Sequence, residues 1–200
     1  YLMLILMPVL AGAQRATPTL LITEIFYNPI GDESKMEWFE IGNVTGEAIP
    51  LDKIKVGDAA TRGGGEGMMR FPEGAEIPGH AAVVVAQTAG GFFQLTGRLP
   101  DYELQSTDAR VPDMRPFRNW ADGPVALANG GDELLLLGPG LLPLDAVNYG
   151  EKRTFFTPAV QTAQEGVSLA RVPADCDTDT AVDWQPQDPP TPGVLDFSGA

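Results

Sequence analysis

One cysteine, Cys176, and one histidine, His80, are all that 200 residues hold of the two most reactive side-chain types. A lone cysteine excludes an internal disulfide framework and leaves Cys176 to be buried, modified or paired with another chain. A lone histidine still suffices for a triad, but no G-x-S-x-G or similar nucleophile motif accompanies it. His80, at the mouth of a strand after Pro78-Gly79, therefore reads as structural. Basic residues are also scarce: 13 Lys and Arg stand against 27 Asp and Glu, giving a net charge of -14. Non-specific binding to a phosphate backbone needs clustered Lys and Arg, so no double-stranded nucleic acid is expected as a partner. The glycine run Gly63-Gly64-Gly65-Glu66-Gly67 lacks the Lys-Ser/Thr of a phosphate-binding loop, and Glu66 would repel phosphate, so it reads as a flexible loop. No internal repeat recurs at the periods of solenoids or propellers.

Long apolar runs are missing too. Leu2 to Leu10, LMLILMPVL, is too short to cross a bilayer as a helix. Ala11-Gly12-Ala13 follows at once, in the small-x-small pattern of a signal cleavage site. The competing reading is a first core strand, but a Met-rich run ending in small residues makes a better signal core. Position 13 is Ala where a lipoprotein would need Cys, so no lipid anchor is expected. The chain opens at Tyr1 without Met or a basic leader, which suggests a truncated N-terminus. The expectation is an exported protein, secreted or at the cell surface, with no membrane span in the mature chain.

What is present in quantity is glycine, 23 residues, and proline, 18. They are spread as single breakers between short apolar runs, which suits many short strands and argues against long helices. A chain of this length buries about 70% of its unfolded surface, so it needs neither disulfide nor metal to hold together. Asn129 to Gly150, NGGDELLLLGPGLLPLDAVNYG, carries the strongest pattern. A turn signal precedes the run Glu133 to Leu137, Gly138-Pro139-Gly140 breaks it, and Leu144 to Tyr149 then alternates. The uninterrupted ELLLL predicts a strand covered on both sides, or one deep in a sandwich, and the hairpin is taken as the centre of an all-β domain. Further strands are expected at Leu20 to Tyr27, Met36 to Gly42, Ile49 to Val56, Ala81 to Ala86, Gly166 to Val172 and Val182 to Trp184. Alternation places Trp38, Glu40 and Gly42 on one face, with Glu37, Phe39 and Ile41 on the other. Gly90 to Phe93 opens a short helical turn, and PQDPPTPG at 186–193 reads as a domain exit.

Six pieces in order carry a resemblance: LLITEIFYNP at 20–29, EWFEIGN at 37–43, GEAIPLDKIKV at 46–56, FPEGAEIPGHAAVVVA at 71–86, LANGGDELLLLGPGLLPLDAVNYG at 127–150 and SLARVPADCDTDTAVDW at 168–184. Together with TPG at 191–193 they resemble the lamin tail domain, in the form found on exported bacterial proteins. The resemblance implies an immunoglobulin-like β-sandwich over residues 17–193, after a signal remnant and leader at 1–16 and before a tail at 194–200. It implies no catalytic residues, because the family is one of interaction modules. The long stretches at 58–67, 88–124 and 151–165 depart from the family and are where a specific function would differ.

Two clusters are candidate sites. Asp175, Asp177, Asp179 and Asp183 offer oxygen ligands in a short acidic turn, the way a Ca2+ loop begins. It is not an EF-hand, because Thr180 stands where the loop's glycine belongs and Pro186 where its bidentate Glu belongs. The alternative is a turn whose Asp and Thr side chains bond nearby amides. Arg110, Arg115, Phe117, Arg118 and Trp120 interleave basic and aromatic side chains, a combination that holds a single nucleic-acid strand or a sugar. Asp108, Asp113 and Asp122 dilute that patch, and the alternative is a loop packed over the sandwich edge. Glu37 and Glu40 face opposite sides of their strand, wrong for joint acid-base work, and read as exposed or edge carboxylates. No cofactor is required, with Ca2+ as the one candidate. The reading is a non-catalytic secreted module for a protein or cell-surface partner; the alternative is an accessory domain of a longer exported hydrolase or nuclease.

Overall fold

The computed structural model describes residues 19–198. The N-terminal apolar run and its cleavage pattern lie outside them. In chain order the strands are β1 Leu20–Phe26, β2 Trp38–Asn43, β3 Ile49–Pro50, β4 Lys55–Gly57, β5 Met69–Arg70, β6 Glu76–Ile77, β7 Ala82–Ala86, β8 Tyr102–Glu103, β9 Arg115–Pro116, β10 Glu133–Leu137, β11 Pro143–Asn148, β12 Ser168–Arg171 and β13 Trp184–Gln187. Two short helices interrupt them, α1 Glu33–Met36 and α2 Ala89–Thr96. A six-stranded sheet runs β13-β12-β1-β2-β7-β8, and a five-stranded sheet runs β11-β10-β4-β5-β9, with β3 and β6 as a separate ribbon. The protein is an all-β sandwich.

The inner faces meet in one core that includes Ile22, Phe39, Ile41, Val85, Leu134, Leu136, Val147 and Leu169. Each such side chain contributes about 1.5–3 kcal/mol on burial. Strand β2 alternates as its sequence requires, with Phe39 and Ile41 in the core and Trp38 on the outer face. Strand β1 does not keep a single parity. Leu20 and Ile22 point inward, then Ile25 and Tyr27, because a bulge between Ile22 and Glu24 inserts one residue. The Ile22 amide donates to the Asp145 carboxylate at 2.7 Å, which ties β1 to β11 across the corner of the sandwich.

Strand β10 is buried along its whole length, as the ELLLL run demands. The β10–β11 hairpin forms, but β11 is an edge strand, so the hairpin closes one end of the sheet and does not sit at its centre. Residues 49–56 also differ from expectation. Leu51 turns the chain back, with the Ile54 amide donating to its carbonyl at 2.9 Å, so β3 and β4 enter different sheets. Val182-Asp183 forms a 3-10 turn ahead of β13.

The outer face of the six-stranded sheet is covered in its turn. Phe26, Trp38, Val84, Ala86 and Phe92 make a second apolar cluster there, with Phe92 of α2 edge-on to Trp38 at 6.1 Å. Thr88 caps α2 by accepting from the Gly91 amide at 3.0 Å, and Gly97, at φ 73°, ends it. The Glu103 carboxylate accepts from the Ala89 amide at 2.8 Å, placing negative charge at the positive end of α2. Residues 188–193 do not leave the domain; they fold over this same face as a strap.

Candidate functional site

The strap is fastened by two carboxylates that stand opposite each other on β1 and β2, Glu24 and Glu40. Glu24 accepts from the Thr191 amide at 2.9 Å, from its hydroxyl at 3.1 Å, and from the Ser168 hydroxyl at 2.5 Å. Glu40 accepts from the Thr23 hydroxyl at 2.6 Å and from the Gly193 amide. Both residues are buried, and so is Glu37, where the sequence reading had Glu37 and Glu40 exposed or at an edge. For Glu24 and Glu40 the reason is that the outer face is roofed by α2 and the strap, whose N–H groups need an inward acceptor, and for Glu37 it is the Gln87 side chain and the Leu127 amide that close over it. Burial raises the Glu40 carboxyl to about 8, against the pull of Thr23 and Gly193. Glu24 is raised as well, also by burial.

Between strap and helix a groove of about 440 Å3 remains open. Phe26 and Trp38 form its floor, Leu95 of α2 one wall, and Pro189 to Pro192 the other. Ile30 and Val194 stand at its rim, 70% and 62% exposed, so the apolar lining continues onto the surface. Arg98 closes one end: its guanidinium donates to the Pro192 carbonyl and lies 5.5 Å from the Phe92 ring. The walls are therefore held from both sides by hydrogen bonds, while the apolar lining has none to make. Its space and lining suit an apolar side chain or an extended segment, and the Thr96 and Thr191 hydroxyls beside it are engaged by the Phe92 carbonyl and the Glu24 carboxylate. A second cavity, about 600 Å3, lies beside α1 and is lined by Glu37 and Gln87 among others. Burial raises Glu37 to about 7. Its carboxylate is committed to the Gln87 side chain and the Leu127 amide, both at 3.2 Å, so it organises loops.

The acidic turn is built around Arg171. Asp183 accepts from the Thr178 amide at 2.8 Å and hydroxyl at 2.7 Å, and its carboxylate lies 3.6 Å from the Arg171 guanidinium. Asp177 lies 3.5 Å from Arg171 and accepts from the Asp179 amide at 3.2 Å. Asp179 has φ 54°, and Asp175 is exposed. The turn's ligand oxygens do not gather as a group of three within 4.8 Å; among the described residues that happens at Glu66, Asp132 and Glu133 instead. Cys176 is a free thiol whose sulfur lies 3.8 Å from Asp183.

The basic and aromatic stretch is dispersed. Trp120 donates its indole N–H to the Ala59 carbonyl at 2.8 Å, and with Phe117 packs beside Ala59, Met68 and Leu135. Phe117 sits under the Lys55 ammonium at 5.3 Å. Arg110 is paired with Asp108 at 2.6 Å, Arg118 with Asp122 at 3.3 Å, and Arg115 is exposed on β9. The glycine-rich loop is closed rather than loose, with the Gly63 amide donating to the Trp120 carbonyl at 2.7 Å. His80 meets Phe197 edge-on at 5.7 Å, and the Ala174 amide donates to the Asp196 carbonyl at 2.6 Å, so residues 194–198 follow the sandwich surface. Sequence reasoning missed the groove because its parts are scattered from Phe26 to Val194. The proline run was the one available signal, and it was assigned to an exit.

No family model matches the chain, and no curated protein matches it in sequence. A crystal structure of a DUF4876 family protein from Bacteroides thetaiotaomicron VPI-5482 is similar in fold, with a TM-score of 0.56 and 16% sequence identity. The match covers 78% of this chain and 62% of that chain. At that identity the likeness bears on the fold alone, and the fold in common is a β-sandwich.

Proposed function

We propose that the chain is a non-catalytic binding module of an exported, lamin-tail-like kind, which holds an extended apolar segment of a protein partner in the groove between α2 and the strap. The observation that carries this reading is the groove itself: an open apolar channel whose rim residues Ile30 and Val194 are exposed. Large exposed apolar side chains grouped beside a cavity mark a recognition surface more than a packing accident. The helical wall comes from the 88–124 stretch, where the chain departs from the family it resembles. The carboxylates that sequence alone offers for acid-base work fasten backbone amides, which supports a non-catalytic role. A second reading, from the same family resemblance, is an accessory unit of a longer exported hydrolase or nuclease.

Selection of a displayed peptide library on the folded protein tests the leading reading. Aliphatic and proline-containing peptides are expected to enrich, and Leu95→Asp or Ile30→Asp to weaken them about tenfold or more, the loss of one apolar anchor. Both side chains are partly exposed, so the thermal midpoint is expected to hold. Failure to enrich any such peptide, or affinities indifferent to both substitutions, would sink the groove as the binding site.

A further inference from the structure

Hydrogen-bonding capacity along the groove is one-sided. Most donors beside it are already used: the Thr96 hydroxyl donates to the Phe92 carbonyl at 2.8 Å, the Gly166 amide to the Asn28 carbonyl at 2.8 Å, and the Thr191 amide to Glu24 at 2.9 Å. Two side chains of the lining keep donors in reserve. Trp38, 2% exposed, has no acceptor for its indole N–H among the described residues. Nor is that nitrogen sealed from solvent, so the groove whose floor Trp38 forms reaches it. Arg98 is the other. One guanidinium N–H donates to the Pro192 carbonyl; the rest have no acceptor and no ion pair among the described residues.

Arg98 is also the one charged side chain of the lining, in a chain whose net charge is -14. Glu40, the buried carboxyl that feels its charge, is raised by burial to about 8. At neutral pH Glu40 is therefore mostly protonated and leaves the guanidinium uncompensated. Trp38 and Arg98 converge on Phe92: the two ring centroids are 6.1 Å apart, and the guanidinium lies 5.5 Å from the Phe92 ring. The bond to Pro192 ties the end of α2 to the strap, so the groove is a dead end there. A chain lying in it terminates against a cation and a neutral N–H donor. Of the two ends of a polypeptide, the carboxylate is the one that fits.

We propose that the groove captures the free C-terminus of an apolar peptide, with its carboxylate on Arg98 and an oxygen of its last peptide unit on the Trp38 indole N–H. This rests on the groove being the binding site and specifies which end of the partner enters it. The preceding side chains, aliphatic or proline, lie against Phe26 and Leu95. A volume of about 440 Å3 is toward the small end for ligand sites, so it takes a few terminal residues and not a folded surface. A guanidinium meets a carboxylate through a planar fork, which fixes direction as well as adding affinity. An internal apolar segment, or an amidated end, offers Arg98 no such partner.

Two displayed libraries of aliphatic and proline-containing peptides, one with free C-termini and one fused through them, test it on the whole chain. The free-ended library is expected to enrich, and its best peptides are compared as acid and as amide by calorimetric titration. The acid is expected to bind about tenfold or more tightly, the scale of a charge-assisted hydrogen bond, and to shift the Trp38 indole N–H resonance. Arg98→Gln, at an exposed side chain, is expected to abolish the preference for acid over amide and to leave the thermal midpoint in place. Arg115→Gln, exposed and outside the groove, is expected to leave that preference whole. Should Arg98→Gln loosen the strap, Arg98→Lys, which keeps the charge and loses the fork, is expected to reduce the preference without removing it. Equal binding of acid and amide, or a preference untouched by Arg98→Gln, would overturn C-terminal capture and leave the groove standing as a binding site. Decanoate binding more tightly than any peptide would overturn it in favour of an amphiphilic carboxylate. No enrichment from either library would overturn both the capture and the groove.

Discussion

The guanidinium of Arg171 is enclosed by protein, and each of its nitrogens has an assigned acceptor. Nε donates to the Ile22 carbonyl at 3.0 Å, Nη2 to both Asp145 oxygens at 2.9 and 2.8 Å, and Nη1 to the Cys176 carbonyl at 2.8 Å. The Trp184 ring covers it at 4.9 Å. In sequence, alternation puts Arg171 on the same face as Leu169, where an arginine is unexpected. Only the arrival of Asp145 from the hairpin edge, 26 residues earlier, accounts for it. A buried pair of this kind adds little against an apolar replacement, but breaking it strands a charge. Arg171→Met is therefore expected to cost about 3–5 kcal/mol in urea unfolding, because it leaves Asp145 buried and unpaired. Adding Asp145→Leu to it should cost less than the two single losses summed, by about 0.5–3 kcal/mol. Strictly additive losses would mean that the pair acts only through packing.

At the scale of the element, the turn into β10 depends on one of its two adjacent glycines. Gly131 has φ +147°, and a Cβ there would lie 2.3 Å from the Glu151 amide nitrogen. Gly130 has open space around it. Gly131→Ala is expected to destabilise by about 1–3 kcal/mol, the scale of a strained backbone position, and Gly130→Ala by no more than about 0.5 kcal/mol, as at an unconstrained surface site. Equal midpoints for the two variants in urea would show that the turn does not use this close approach. This turn was legible because Asn-Gly-Gly announces positive φ. Strands β2, β7 and β10 were legible because alternation or a continuous apolar run sets their exposure. Strands β3 and β4 were not: IPLDKIKV has the spacing of one strand, and only the Leu51 turn sends its halves to different sheets. The strap escaped notice for a related reason. Proline excludes a central ladder, but nothing in PQDPPTPG tells that Glu24, 167 residues before Thr191, and Glu40, 153 residues before Gly193, are waiting for its amides.

For the molecule as a whole, the excess of carboxylates is not confined to the surface, and the buried ones set how stability responds to pH. Burial raises Glu40 from 4.5 to about 8, Glu37 from 4.5 to about 7 and Asp58 from 3.8 to about 7. A carboxyl raised on folding binds its proton more tightly in the folded chain than in the unfolded one. Its contribution is fully present below the unfolded value and is lost as pH rises through the folded value. These groups therefore weaken the fold progressively between about pH 4 and 8, reinforced by the growing self-repulsion of a chain with a net charge of -14. Asp108, held down to about 2 by Arg110, acts in the opposite sense, but the pair lies at the surface, with Arg110 exposed, and solvent screens it. The thermal midpoint is thus expected to be higher near pH 5 than near pH 9 (a window chosen to bracket the folded values just given). Glu40→Gln, which keeps an oxygen to accept from Thr23 or Gly193 and cannot ionise, is expected to flatten that slope at its alkaline end, where Glu40 itself titrates. The strap lies directly over Glu40, so its loosening should appear first, as faster amide exchange at Thr191 and Gly193 when pH-corrected for intrinsic rates. A midpoint that climbs from pH 5 to pH 9, or an unchanged slope in Glu40→Gln, would mean that these carboxylates are ionised in the folded protein at neutral pH and that the strap amides, not burial, govern their charge.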